Sequence, residues 1–284
     1  MAAADKPTTR IMATPQGRVA VRHGSCLRSQ TPSYDNADSP LWRLLVYEPV
    51  HAGQEFINIG GVRVLDAIAS WLTSRNNVRL LEIGSGLGAN CIYLCGTYGY
   101  DITGIDANPH QISKARARLA RNPDLQLEFV EDDIRTWRPD RQYDCVYTLD
   151  SLMLIPETSL IVSKAYDCLK DKGLLALTEV MAGPHLTDES RHYAYEEDGI
   201  HLLGVDEYCD MLADVGFAIC NVTDLTQRAE HTFQLIHQTA LRRSKEVVEA
   251  SSPNAYDNWL TLSKTYRDAF RARQYEYKML FATR

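Results

Sequence analysis

The chain has 284 residues, 45% of them hydrophobic and 24% charged, with a mean hydropathy of −0.29. These values fit one large α/β unit with additions, and no apolar run approaches the roughly 20 residues that span a bilayer. A net charge of −7 argues against a broad nucleic-acid footprint, which needs a basic face for the phosphates.

The charge is uneven. Residues 1–33 carry Lys6, Arg10, Arg18, Arg22 and Arg28 against Asp5, a net +4 that leaves −11 for residues 34–284. This basic leader reads either as a flexible extension or as an organelle transit peptide. The seven cysteines are odd in number and scattered, which points to a reducing compartment, and the expected location is cytoplasmic. Cys91 and Cys95 lie four apart and read as buried apolar thiols, so no metal site is expected.

From Leu41 short helices are predicted, with Trp42, Leu45 and Val46 on one side; a second helix over 62–72 aligns Val64, Ile68, Trp71 and Leu72. Residues 34–75 thus form a cap. Between these helices, Phe56 to Gly61 reads as a loop. An alternating pattern follows: strands over 78–83, 101–105, 125–130, 143–149 and 174–180, with helices over 89–98, 109–121 and 158–169. The last of these helices is expected to stop at Lys172-Gly173. Such alternation implies a mostly parallel sheet with helices on both faces, here a core over 76–182. Residues 183–204 are polar, aromatic and acidic. A helix over 206–215, capped by Asp206 and stopped at Gly216, precedes a strand near 218–222. Polar helical stretches cover 228–250 and 255–273, and 275–282 alternates like a seventh strand. Residues 183–284 are therefore read as a lid plus the helices and strands that complete the sheet.

The most specific string is Leu80-Leu81-Glu82-Ile83-Gly84-Ser85-Gly86-Leu87-Gly88, a strand running through a glycine-rich turn into a helix. Glycine there permits positive φ and close approach of a ligand. A pyrophosphate site favours Gly-x-Gly-x-x-Gly, whereas here the spacing is Gly84-x-Gly86-x-Gly88 behind an acid. A carboxylate at Glu82 repels a pyrophosphate but suits a ligand carrying ammonium and sulfonium centres. Asp106, ending the second strand, is placed to accept from ribose hydroxyls. Asp132-Asp133-Ile134 follows the third strand, with a carboxylate for the adenine amino edge and an apolar side chain for its face.

These motifs resemble the class I S-adenosylmethionine-dependent methyltransferases, over roughly residues 40–284. Tyr47-Glu48 and Phe56 to Gly61, ahead of Glu82 to Gly88, resemble the phosphoethanolamine N-methyltransferases and the related sarcosine/dimethylglycine N-methyltransferases. The resemblance implies a Rossmann-like, seven-stranded sheet with N-terminal cap helices and a helical lid insertion. It also implies a donor pocket lined by Tyr47, Ile57, Asn58, Glu82, Gly84 and Gly86. Asp106, Ala107, Gln111, Asp133, Ile134 and Leu149 complete that pocket, with S-adenosyl-L-methionine as cofactor and S-adenosyl-L-homocysteine as product.

The acceptor side departs from the pattern. Asp150 matches the family's catalytic aspartate, but Leu154 stands where a partner histidine is expected. Where a phosphate clamp belongs, the chain reads Tyr195-Glu196-Glu197-Asp198, and three acids oppose a dianion. Asp150 is the candidate to orient an amine, with Tyr47 shielding the sulfonium and His51 as a base for a hydroxyl acceptor. Glu179, His185 and Tyr195 are further acceptor-side candidates.

The leading expectation is an N-methyltransferase for a small-molecule amine, monomeric or homodimeric, with no nucleic-acid or membrane partner. An O- or C-methyltransferase of specialised metabolism is the alternative, and a non-catalytic donor-binding protein is a third reading.

Overall fold

The computed structural model describes residues 58–73 and 75–284. The leader, the helices expected from Leu41, and the candidates Tyr47, His51 and Ile57 lie outside the described residues.

Helix α1 (Val62–Leu72) buries Val64, Leu65, Ile68, Ala69 and Leu72, the stripe that a 3.6-residue period dictates. Trp71, grouped with that stripe from spacing, sits at its margin: it is 42% exposed and stacks on Phe281 at 4.8 Å. The repeat that follows is β1 (Arg79–Ile83), α2 (Ala89–Tyr98), β2 (Asp101–Asp106), α3 (Pro109–Leu119), β3 (Leu127–Glu131) and β4 (Tyr143–Leu149). A short 3₁₀ turn, Leu152–Leu154, leads into α4 (Thr158–Cys168) and β5 (Leu169–Ala182). The chain ends with α5 (Asp188–Asp198), α6 (Val205–Val215), β6 (Ala218–Asp224), α7 (Thr226–Arg242), α8 (Ser244–Ala250), α9 (Pro253–Arg271) and β7 (Tyr275–Thr283).

The seven strands form one sheet in the order β3-β2-β1-β4-β5-β7-β6, with β7 antiparallel to both neighbours. The central strands are covered on both faces, hence the uninterrupted apolar runs. Leu80 and Leu81 point to opposite faces and are both fully buried, each contributing roughly 1.5–3 kcal/mol. One face packs on α1 and α2 through Leu80, Tyr147 and Leu149, the other on α4 and α6 through Leu81, Val146 and Tyr208. A third cluster joins α7, α9 and β7 through Phe233, Trp259, Tyr266 and Tyr277. No helix among the described residues is long and apolar enough to cross a membrane.

Several boundaries differ from expectation. Helix α4 stops at Cys168 and β5 starts at Leu169, paired with Tyr143 before an irregularity, so Lys172-Gly173 lies within the strand. Helix α6 begins one residue early: its cap is Gly204, whose N–H donates to the Glu207 carboxylate at 2.7 Å, and Asp206 is a first-turn acid. Within the polar, aromatic and acidic stretch, α5 starts behind Thr187, whose hydroxyl accepts from Ser190 N–H, a regular N-cap.

Candidate active site

In a parallel sheet of this order, ligands sit beyond the carboxyl ends of the strands where the order reverses, between β1 and β4. The glycine loop after β1 lies there. Gly84 and Gly86 hold φ of +76° and +52°. A Cβ on Gly84 would stand 2.4 Å from Ser151 Oγ, and one on Gly86 2.9 Å from Gln111 Oε1. The loop is therefore held in a shape that L side chains rarely adopt, against the turn that follows Asp150.

Asp106 closes the loop from β2. Its Oδ2 accepts Gly86 N–H at 2.9 Å and its Oδ1 accepts Asn108 N–H at 2.8 Å, and burial raises its pKa. Each oxygen retains a lone pair for a further donor. Asp133 is less available than the sequence suggested. Arg135 clasps it, with Nε at 3.0 Å from both carboxylate oxygens and Nη2 at 2.6 Å, and this pairing lowers its pKa. Ile134 is buried, as is Leu149 at the end of β4. Ala107 follows Asp106, while Gln111 N–H donates to the Asn108 side chain that caps α3.

Glu82 is the main revision on this side. The charge argument placed its carboxylate against the ligand, yet it is fully buried and turned into the core. Its Oε1 accepts Asn90 Nδ2 at 2.7 Å, and its Oε2 accepts Cys91 Sγ at 2.8 Å and Tyr147 OH at 3.1 Å. Burial pushes it up to about 7 despite these three donors. Cys91, expected to be an apolar thiol, is one of them. Asn90 in turn accepts Asn58 Nδ2 at 2.8 Å, which ties the segment before α1 to the loop.

On the other side of the reversal, Asp150 takes φ +58°, a conformation that costs a non-glycine residue of order 1–3 kcal/mol. The fold holds it there from several directions. Its N–H donates to Thr178 O at 2.8 Å; its Oδ1 accepts Thr178 Oγ1 at 2.9 Å; its Oδ2 accepts Ile59 N–H at 2.7 Å. Ile59 O accepts Thr232 Oγ1 from α7 at 3.1 Å, so one residue links Asp150 to the C-terminal helices. The fully buried Tyr277 hydroxyl stands beside Asp150 and Thr178 without a well-formed hydrogen bond to either. Burial pushes Asp150 up to about 6.

Glu179 was grouped with acceptor-side candidates, but it holds the adjoining turn. Its oxygens accept the N–H groups of Ser151, Leu152 and Met153 at 3.3, 2.9 and 3.1 Å, and burial with the neighbouring Asp150 pushes it up to about 8. Leu154, at the expected histidine position, is 51% exposed. His185 lies on an exposed turn, its N–H donating to Arg273 O. Tyr195 is 53% exposed and packs edge-on against His201, whose N–H donates to Met153 O. The acidic run also divides: Glu196 and Glu197 face outward, while Asp198 is buried and accepts the Tyr266 hydroxyl at 2.5 Å.

Asn90, Thr178, Thr232 and Tyr277 were not singled out from sequence. Asn90 had a local signal, two residues beyond Gly88 on the first turn of α2. The other three come from distant elements and carry no motif.

Together, the strand order, the glycine loop and the acids ending β1, β2 and β4 define a Rossmann-like class I methyltransferase fold. Comparison with known proteins agrees: a family model described as "Methyltransferase domain" matches residues 59–222, more than half of the chain. The protein belongs to that methyltransferase family. It is 27% identical over 238 residues to a phosphoethanolamine N-methyltransferase of Plasmodium falciparum, covering 81% of this chain and 87% of that one. A sterol 24-C-methyltransferase of Kluyveromyces lactis is 31% identical over 160 residues, covering 53% of this chain and 43% of the relative. Among solved structures, phosphoethanolamine N-methyltransferase 2 of Haemonchus contortus, in complex with phosphomonomethylethanolamine and S-adenosylhomocysteine, superposes with a TM-score of 0.76 at 20% identity. That match covers 85% of this chain and 56% of the other. The chain spans about half the length of the plant phosphoethanolamine N-methyltransferases it also matches.

Proposed function

We propose that the protein transfers a methyl group from S-adenosylmethionine to the amine nitrogen of a small molecule that carries no phosphate. The donor half is supported by the fit of the residues present. Gly84 and Gly86 leave a cradle that a Cβ would fill, Asp106 has free lone pairs for a diol, and Asn58 Oδ1 is buried with no partner among the described residues. Residues Asn58, Gly84, Gly86, Asp106 and Ile134 would hold the donor, which supplies an electrophilic methyl on a sulfonium centre.

The observation that carries the acceptor half is the over-determined Asp150 carboxylate. An ammonium binds to it through charge-assisted hydrogen bonds, and loss of one N–H proton to solvent water exposes the lone pair. Asp150, held by Ile59 and Thr178, then orients the remaining N–H so that the lone pair faces the methyl. Such alignment supplies much of the acceleration of an in-line displacement. The absence of phosphate from the acceptor is supported by three cations among the described residues that are already engaged. Arg191 donates to Leu202 O, while Arg273 and Lys278 pair with Asp224 and Glu276.

The test is turnover with labelled donor against panels of amines, phosphoethanolamine, phenols and sterols. Product from unphosphorylated amines is expected, and product from phosphoethanolamine alone overturns the acceptor reading. The match to a sterol C-methyltransferase favours a second reading, transfer to carbon, for which product appears only with the sterol panel. A hydroxyl acceptor, with His51 as base, predicts product only from phenols. Binding of the donor without product from any panel identifies a non-catalytic protein.

A further inference from the structure

Glu82, Asn90 and Asn58 form a hydrogen-bonded chain whose direction is dictated at one end. An ionised carboxylate only accepts, so Asn90 must present its NH₂ to Glu82 and its carbonyl oxygen to Asn58. Asn58 must then turn its own NH₂ toward Asn90. The distances, 2.7 Å and 2.8 Å, fit this sequence of donors and acceptors. What remains is Asn58 Oδ1, which is buried and has no partner among the described residues. An orphaned buried acceptor is destabilising unless a donor meets it.

We infer that Asn90 is a positioning residue that transmits the polarity of Glu82 to Asn58, so that the Asn58 carbonyl oxygen receives the α-ammonium of the methyl donor. The inference rests on the S-adenosylmethionine reading and deepens it. The negative charge behind the glycine loop selects a cationic ligand, but through two amides rather than by contact. The core side of the carboxylate supports the same direction. Cys91 and Tyr147 both donate to Oε2, which leaves Oε1 as the acceptor facing Asn90. Protonation of Glu82, which burial has moved up to about 7, permits both amides to flip and presents NH₂ instead of oxygen to the ligand.

The experiment is calorimetric binding of two probes. One is S-adenosylhomocysteine; the other is its desamino analogue, in which hydrogen replaces the α-amine and the carboxylate is kept. The wild-type protein is expected to prefer the amine-bearing probe. Glu82→Gln and the near-isosteric Asn90→Leu are each expected to reduce that preference about tenfold, with affinity for the desamino probe within about twofold of wild type. The Asn58→Ala/Asn90→Leu pair is expected to be no worse than Asn58→Ala alone, as members of one chain couple. Equal loss for both probes, or an unchanged preference in folded variants, overturns the inference. A wild-type readout stands even where a variant fails to fold: the preference is expected to fall between pH 8.5 and pH 6, and a flat preference overturns the inference. Wild-type protein that binds neither probe overturns the donor reading itself.

Discussion

The donor side and the acceptor side of the sheet's carboxyl edge hold their acids by different means. Around β2 and β3, the acids Asp106 and Asp133 belong to strand–turn–helix units and are fixed within some twenty residues: Asp106 by Gly86 and Asn108, Asp133 by Arg135. Around β4, β5 and β7, Asp150 is fixed by Ile59, 91 positions away, and by Thr178, 28 positions away. The first arrangement forms once a local turn forms, whereas the second exists only after the sheet and the C-terminal helices have docked. A site of the first kind is suited to one invariant ligand, and a site of the second kind changes with any packed neighbour. The chain's relatives are consistent with that contrast, since phosphoethanolamine and sterol methyltransferases both align to it.

Substitutions on either side separate the two. The largest effect is expected at Asp150. Asp150→Asn should lower kcat by about 10²–10⁴-fold while donor affinity, measured by calorimetry, stays within about threefold. A large loss of donor affinity would show that the two sides are not separable. In the wild type, kcat/KM should rise with pH through about 6 as the Asp150 carboxyl loses its proton.

Gly84→Ala comes next and strikes the donor side. Its Cβ meets Ser151 Oγ at 2.4 Å and its φ is +76°, so donor affinity should fall about tenfold or more. A loss of about 1–3 kcal/mol in stability by denaturant titration should accompany it. Unchanged affinity would remove the glycine cradle from the account.

Glu179→Gln tests the scaffold under Asp150. The folded protein keeps the Glu179 proton up to about 8, whereas a free glutamate loses it near 4.5. The contribution of this group to stability is therefore fully present below about 4.5 and is lost as pH rises toward 8. The glutamine variant should show a flatter dependence of denaturation midpoint on pH across that window, and an unchanged slope would exclude the assigned burial. The smallest effect is expected at Tyr195. Because it is 53% exposed, Tyr195→Ala should alter acceptor KM by less than about twofold, with stability changed by about 0.5 kcal/mol or less.

Much of the architecture was legible without coordinates. The strands ending at Ile83 and Leu149, the helices over 62–72 and 89–98, and the existence of the seventh strand follow from period and from glycine punctuation. The same holds for Gly84, Gly86 and Asp106, because the turn that places them lies within a short stretch of chain. Residue identity alone did not tell which way an acid would face. Glu82 looked like a ligand group and lies in the core; Asp198 looked like an acid opposing a phosphate and accepts from Tyr266; Glu179 looked like part of the acceptor site and holds a turn.

What the sequence determined, then, was the order of strands and helices and the class of site at their ends, because hydrophobic period and positive-φ turns act over a few residues. Only the tertiary structure decided which carboxylates turn into the core and which stay at the sheet's carboxyl edge. That choice depends on burial and on donors brought from elsewhere in the chain: Asn90 and Tyr147 for Glu82, Ile59 and Thr178 for Asp150. A buried charge must be paired wherever the fold leaves it.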